Sequence, residues 1–553
     1  MKIRVRSRLE HHEIQGRRKS ITDTRLWWQH GIVYQVYPRS FSDSDGDGVG
    51  DLRGITSRLG YLQEIGVDVL WLSPIYSSPM ADFGYDVSCY TDVHPLFGTL
   101  EDFDVLVNEA HRLGLKVVLD FVPNHSSDEE HPWFVESRSS RVSLKRDWYV
   151  WRDAAPDGGP PNNWESYFGG PAWERDAKTG QYYLHLFHKK QPDLNWRNPQ
   201  VRRAMFDVMR FWFERGVDGF RVDVLAALIK DEAFRDNLPN PGWREGDPPF
   251  LRQQRLYTED RPEIHELVRE MRAVADEYED RVLIGEIYLP LDRLVAYYGE
   301  QLDGVHLPFN FGLVLLTEWE AGTVRRLVEE YEAALPEDAW PNWVLGNHDN
   351  PRIANRIGHA RTRLAQMLLL TLRGTPTCYY GDKIGMRDVE IPSHLIVDPV
   401  GKSAPGQARD PERTPMQWDT SPNAGFSASI PWLPVDSDYI ETNVAVRRKD
   451  YRSQLVLFKR LTELRRKLRA LSIGSYRSLD TSSESAYAYL RQHEEQRLVV
   501  ALNFGSSPEE VSLSEAGAEG ELLCSTVMDR EGSVSLQRLT LRPGEGIIVE
   551  LQA

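Results

Sequence analysis

From about residue 30 onward, short β-branched runs alternate with amphipathic stretches. Ile32-Val33-Tyr34-Gln35-Val36-Tyr37 opens the series and Val67-Asp68-Val69-Leu70-Trp71-Leu72 continues it. Further runs at residues 116–121, 219–224, 282–287, 304–308, 343–346 and 375–380 bring the predicted strands to eight. Most are apolar throughout, the pattern of strands covered on both faces. Eight parallel strands alternating with helices close most simply into a barrel, so the expected fold class is α/β, a (β/α)8 TIM barrel.

Two stretches break the rhythm. Residues 125–196, rich in Trp, Tyr, Gly and Pro, are far longer than an ordinary βα loop and predict a small domain inserted after strand 3. Residues 381–443, after the eighth strand, are long and Pro-rich, at the barrel end where binding residues collect. A helix is expected over residues 454–471. Beyond it, alternating runs such as Ala486-Tyr487-Ala488-Tyr489-Leu490, separated by Gly, Ser and Pro turns, predict a C-terminal antiparallel β-domain of sandwich type. The barrel is thus assigned to residues 21–124 and 197–471, the insertion to 125–196 and the β-domain to 472–553. Residues 1–20 carry a run of Lys and Arg without the apolar stretch of a secretory signal, and are set apart as a mobile basic tail.

A net charge of −17 repels phosphate backbones and anionic lipid, which excludes nucleic acid and charged membrane surfaces as partners. No apolar run reaches the roughly 18 residues needed to span a bilayer. Cys89, Cys378 and Cys524 are scattered and show no C-x-x-C spacing, which argues against a disulfide framework or a zinc site and for a reducing cytoplasm. A monomer or homodimer acting on small molecules is expected.

Three predicted strands end in an acid: Asp223 in Gly219-Phe220-Arg221-Val222-Asp223, Glu286 in Leu283-Ile284-Gly285-Glu286, and Asp349 in Gly346-Asn347-His348-Asp349. Acids after apolar strands are costly without a purpose, and catalytic groups of barrels project from these ends. Arg221 lies two residues before Asp223, on the same side of the strand, so its guanidinium is expected to hold that carboxylate ionised as a nucleophile. Glu286 is the candidate for a carboxyl kept protonated as general acid. Retention at a glycosidic carbon needs the two about 5–5.5 Å apart.

These residues resemble the α-amylase superfamily of glycoside hydrolases, through four ordered motifs: Asp120-Phe121-Val122-Pro123-Asn124-His125, residues 219–224, Gly285-Glu286 and Asn347-His348-Asp349. The resemblance runs from about Trp27 to the C-terminus. It implies Asp223 as nucleophile, Glu286 as acid/base and Asp349 as transition-state stabiliser, with Arg221, His125 and His348 lining the first sugar site. Within the superfamily the chain looks like the α-glucosidase and oligo-1,6-glucosidase branch, through Gln191-Pro192-Asp193-Leu194-Asn195-Trp196, Gly84-Tyr85-Asp86 and Arg413-Thr414-Pro415-Met416-Gln417-Trp418. That likeness implies an Asp86–Arg413 pair closing the far end of a glucose pocket, with Phe168, Phe187 and Gln191 around it. A pocket closed by a carboxylate and a guanidinium leaves no room for a longer chain, hence exo action. The implied activity is a retaining α-glucosidase that also transfers glucose between small α-glucosides. The alternative is a sucrose or maltose isomerase or trehalose-synthase-like transglucosylase with the same acids; a catalytically dead sugar-binding relative would have lost them.

Asp43-Ser44-Asp45-Gly46-Asp47-Gly48-Val49-Gly50-Asp51 alternates acids with glycines as loops that wrap calcium do. An EF-hand is excluded, because its twelfth position is Gly54 rather than Glu. The family resemblance implies a structural Ca2+, or Mg2+, held by Asp43, Asp45, Asp47, the Val49 carbonyl and Asp51, and no organic cofactor. Two positions bear on specificity. Val224, after the nucleophile, matches the residue that favours α-1,6 bonds in this branch, and Lys383 stands in Gly381-Asp382-Lys383 where relatives usually carry Glu, a reversal expected to alter a loop contact near the active face.

Overall fold

A computed structural model describes residues 26–247, 249–403 and 405–552; the basic N-terminal stretch lies outside the described residues. Eight parallel strands form the barrel: β1 (Val33–Val36), β2 (Val69–Leu72), β3 (Lys116–Phe121), β4 (Gly219–Val222), β5 (Val282–Gly285), β6 (Leu307–Pro308), β7 (Asn342–Val344) and β8 (Thr375–Tyr379). Their order, β6-β5-β4-β3-β2-β1-β8-β7, wraps the sheet into a nearly closed barrel with its seam between β6 and β7. Strands β1, β2, β4 and β5 are buried along their whole length, which is why they read as continuous apolar runs.

The helices outside bury one stripe each. The helix Leu52–Glu64 (α1) starts at Asp51, whose side chain accepts the Gly54 N–H, and buries Leu52, Ile55, Leu59 and Leu62. The helix Pro199–Glu214 (α2) begins with proline after an Asn198 cap, and buries Val201, Met205, Val208, Met209 and Trp212. The stretch expected as one helix over 454–471 is Gln454–Lys467 (α3) followed by a separate turn, Arg469–Ser472.

Between β3 and α2 the chain folds three short antiparallel strands, Trp151–Arg152, Trp173–Arg175 and Tyr182–Leu184, with the last in the centre. The buried ammonium of Lys230, in the loop after β4, joins this segment to the barrel: Nζ lies 2.7 Å from Asp193 and 2.7 Å from Asn124 Oδ1. Toward the C-terminus, β9 (Ser475–Leu479), β10 (Ala486–His493), β11 (Gln496–Asn503), β12 (Glu519–Ser525), β13 (Gly532–Ser535) and β14 (Gly546–Leu551) form an antiparallel sheet ordered β9-β10-β11-β14-β12-β13. A ribbon of Glu509–Val511 and Leu539–Leu541 shares its apolar cluster with Val499, Ile547 and Val549. No described helix is long and apolar enough to cross a membrane.

Lys383 turns inward and meets the long segment after β8 from within, its Nζ 3.7 Å from Met416 Sδ. It is buried between β1, α1 and the loop carrying Trp418; its ammonium donates to the Tyr34 hydroxyl and lies 5.0 to 5.9 Å from the ring centres of Tyr34, Tyr61 and Trp418. Burial lowers its pKa to about 7, with the neighbouring Asp382 opposing. An unfolded lysine titrates near ~10.4, so between pH 7 and about 10 the unfolded chain binds more protons and stability rises with pH. Lys383→Met should flatten that rise and melt higher than the native chain at pH 7; thermal melts across pH 6–10 that leave the two curves parallel would count against this account.

Candidate active site

The three strand-end acids converge because the ladders continue one or two residues past the strands. The Asp223 N–H donates to the Phe121 carbonyl at 2.8 Å and the Glu286 N–H to the Val222 carbonyl at 2.9 Å. Strands β4 and β5 are therefore shorter than the runs 219–224 and 282–287. The chain turns sharply after Asp223, where Val224 adopts the left-handed region at φ 40° and ψ 43°. A β-branched residue there is strained by about 1–3 kcal/mol. The turn aims the Val224 N–H at Glu286 Oε2, 2.9 Å away.

Arg221, fully buried, ties the acids together. One terminal nitrogen donates to Asp120 Oδ1 at 2.7 Å and Asp223 Oδ1 at 2.6 Å, and the other lies 2.5 Å from Glu286 Oε1. Burial is the largest influence on each carboxyl, with Arg221 opposing: it pushes Asp120 up to about 6 and both Asp223 and Glu286 above the ordinary range. Arg221 therefore does not hold Asp223 below that range, as its position two residues away suggested. One guanidinium divided among three acids, with burial, favours retention of a proton by the Asp223–Glu286 pair. Asp349 differs. Burial pushes it up, but the guanidiniums of Arg413 and Arg409 outweigh burial and hold it well below the usual carboxylate range.

His348 and His125 are buried and neutral, burial lowering each to about 3. Gln35 donates to His348 Nδ1 at 2.8 Å, so Nε2 carries the proton and faces the Tyr85 hydroxyl at 2.6 Å. Tyr85 passes the bond to Asp120 Oδ2 at 3.1 Å and stacks on His348, which Tyr37 covers on a second side. His125 packs on Phe187, and Phe187 meets Phe168 edge-on. Gln191 Nε2 lies 3.1 Å from Asp82 Oδ2 and 3.1 Å from the His125 ring.

The Asp86–Arg413 pair does not form. Asp86 is buried and accepts from Ser78 Oγ and from the backbone of Ala81 and Asp82, at 2.8 to 2.9 Å, and so shapes its own turn. Arg413 donates to the His348 carbonyl at 2.6 Å and to Asp349 Oδ1 at 2.7 Å, backing that acid. The acid–arginine pairing between the two loops is made instead by the residues four positions earlier, Asp82 and Arg409. Arg409 contacts Asp82 at 2.7 Å, Asp349 at 3.2 Å and Asp398 at 2.6 Å, with its guanidinium over Phe168. Two acids in one loop and two arginines in the other leave the pairing open in the sequence; only the turn built by Asp86 decides it. Asp120 and Tyr85 were also missed as site residues, although Asp120 stands beside Arg221 in the β3–β4 register.

In the loop before α1, carboxylate oxygens of Asp43, Asp45 and Asp51 come within 4.8 Å of one another, and Asp47 is not among them. Asp43 accepts from the backbone of Asp45, Gly46 and Gly48 and from Ser427, and Asp51 from Ser44 and Gly54. Among the described residues no cation pairs with these three acids, and their hard oxygens suit a divalent ion.

Comparison with known proteins bears on the whole chain. The family model for the alpha amylase catalytic domain matches residues 35–474. A "probable alpha-glucosidase" of Rhizobium meliloti is 41% identical over 527 residues, covering 92% of this chain and 95% of that protein. Oligo-1,6-glucosidase of Parageobacillus thermoglucosidasius is 38% identical over 569 residues, covering 96% and 99%. Among solved structures, the trehalulose synthase MutB of Pseudomonas mesoacidophila superposes with a TM-score of 0.88 at 34% identity, covering 96% of this chain and all (100%) of that one. The alpha-glucosyl transfer enzyme XgtA gives 0.88 at 38%, with 96% and 100% covered.

Removing Arg409 leaves Asp82 and Asp398 buried without their cation. Arg409→Ala should cost about 3–5 kcal/mol of stability, read by urea denaturation, and Arg409→Lys should recover only part of it because an ammonium cannot fork between the acids. A loss below about 1 kcal/mol, the scale of a surface pair, would show the cluster is solvated.

Proposed function

Because the chain belongs to the α-amylase family of glycoside hydrolases, we propose that it is an exo-acting, retaining α-glucosidase that releases terminal glucose from small α-glucosides and passes part of it to sugar hydroxyls. The observation that carries this reading is the single guanidinium gripping both Asp223 and Glu286. Two carboxyls on one guanidinium suit the separation of about 5–5.5 Å of retaining enzymes, and not the roughly 6.5–9.5 Å that admits a water between them.

For attack, the proton shared by the pair resides on Glu286. The Asp223 carboxylate bonds to the anomeric carbon as Glu286 gives its proton to the departing glycosidic oxygen, leaving a glucosyl ester on Asp223. Glu286, now a carboxylate, takes a proton from water, whose oxygen displaces Asp223 and restores the α configuration. Asp349, ionised between Arg409 and Arg413, receives ring hydroxyls and strengthens its hold as charge develops on the sugar. The Asp82–Arg409–Asp398 cluster, in contact with Asp349, supports a pocket closed beyond that acid and so exo action. The Asp43, Asp45 and Asp51 carboxylates fit a calcium ion, whose charge would offset their mutual repulsion and stiffen the loop ahead of α1. Three unpaired thiols, Cys89, Cys378 and Cys524, support a reducing compartment such as the cytoplasm.

A second reading, conversion of one disaccharide into another, is favoured by the likeness to a trehalulose synthase and a glucosyl transfer enzyme. Product analysis on maltose, isomaltose, sucrose and trehalose separates them: free glucose is expected, whereas a new disaccharide with little glucose would favour isomerisation. The glucose first released should be the α anomer by NMR, and β would overturn retention. Asp223→Ala and Glu286→Gln should each lower kcat by about two to four orders of magnitude with the circular dichroism unchanged. Addition of calcium should raise the melting temperature of the native chain and not that of Asp45→Asn; a shift of equal size in both would remove the ion from this loop.

A further inference from the structure

The loop before α1, residues 43–51, and a late stretch of the segment after β8, residues 426–432, are far apart in sequence and closely bound in space. The Asp43 N–H donates to the Phe426 carbonyl at 3.0 Å, and the Trp432 N–H to the Gly48 carbonyl at 3.0 Å. Between these ends the Ser427 hydroxyl donates to Asp43 Oδ2 at 2.5 Å, and the Ser429 hydroxyl to the Gly46 carbonyl. The approach is close enough to require glycine: a Cβ on Gly48, at φ +95°, would lie 2.3 Å from the Ile430 carbonyl oxygen. Asn423 ties the stretch to itself, donating to the Ser427 and Ser429 carbonyls at 3.2 and 2.6 Å. The stretch must therefore follow the loop whose Asp43, Asp45 and Asp51 suit a divalent ion.

Trp432, at the end of the stretch, carries that position to the glucose pocket. Asp349 pairs with Arg413 at 2.7 Å and with Arg409 at 3.2 Å, and lies 3.2 Å from His348 Nε2. The Trp432 side chain meets a support of each partner. Its indole N–H donates to Ser40 Oγ at 3.0 Å, and the Ser40 hydroxyl donates to the Arg413 carbonyl. Its ring centre lies 5.4 Å from that of Phe83, the chain neighbour of the Asp82 that pairs with Arg409. The same ring lies 6.3 Å from Tyr37, which stacks on His348. Arg39 covers Trp432 and Phe83 together, at 4.8 and 5.2 Å from their centres.

We propose that Trp432 is a positioning residue through which the ion loop and the glucose pocket are coupled, so that calcium and a glucose-shaped ligand each tighten the binding of the other. This rests on the α-glucosidase reading for the pocket and on the calcium assignment for the loop. Three carboxylates within 4.8 Å repel one another when no cation offsets them. A loop relaxed by that repulsion displaces Asp43 and Gly48, and with them both ends of the stretch that sets the Trp432 ring. A sugar hydroxyl on Asp349 needs Arg409, Arg413 and His348 in one arrangement, which the ring supports. Linkage makes the effect reciprocal and equal in both directions.

1-Deoxynojirimycin, an iminosugar with the hydroxyls of glucose and no glycosidic bond to cleave, reports the pocket without turnover. Its Kd by isothermal titration calorimetry should fall about five- to tenfold when calcium replaces a chelator, and the Kd for calcium should fall by the same factor when the iminosugar is saturating. Trp432→Ala keeps the backbone N–H on Gly48, so calcium binding alone should be nearly unchanged while both factors drop to about one. Trp432→Phe, which keeps a ring and loses only the bond to Ser40, should retain part of the coupling. Equal iminosugar affinity with and without calcium in the native enzyme overturns the proposal, and undiminished factors in Trp432→Ala overturn the part given to Trp432. No heat of calcium binding in the native enzyme overturns the ion assignment and the coupling together. An iminosugar that fails to bind the native enzyme, with or without calcium, overturns the α-glucosidase reading beneath both.

Discussion

A single buried cation sets the terms for the rest of the molecule. Arg221 is without solvent exposure and faces Asp120, Asp223 and Glu286. Each charge taken out of water costs several kcal/mol, and attraction offsets this only when geometry and hydrogen bonding are complete. The barrel supplies the geometry, while Nε and Nη2 of Arg221 make no hydrogen bond. Strands β3, β4 and β5 are in register, so the three acids and the arginine meet without any side chain having to search for its partner. Tyr85, His348 and Gln35 then fill the remaining positions, with proton directions running one way from the amide of Gln35 to Asp120. Three buried carboxyls on one guanidinium favour retention of a proton, and a retained proton beside an anomeric carbon is what acid catalysis requires.

Around Asp349 the balance differs: it faces two guanidiniums, those of Arg409 and Arg413, and stays ionised. The balance of positive and negative groups around each acid thus separates a pair that favours a proton from one fixed anion.

Much of the fold was legible because the barrel strands are buried on both faces, which the sequence cannot disguise. The strand-end acids were legible for the same reason, being the polar residues at the ends of apolar runs. The pairing at the closed end was not. Asp82 and Asp86 share one turn, as Arg409 and Arg413 share another, and a likeness of motif selected the wrong member of each. The difference lies in which acid is consumed by backbone N–H groups, a matter of turn geometry. The proton balance of Asp223 escaped for another reason: proximity along a strand names a partner but does not say how many others that partner serves. The charge reversal at Lys383 was expected to alter a loop contact, and residue type alone does not tell that the contact is made by a buried amine.

The joint between the inserted segment and the barrel is closed by the ammonium of Lys230, bridging Asp193 and Asn124. A cation tethered to the backbone cannot diffuse away, be sequestered by a chelator or be exchanged for a rival of another size. Being buried, this bridge is screened by salt far less than a surface pair, and the alignment it fixes is inherited with the polypeptide instead of being recruited after folding.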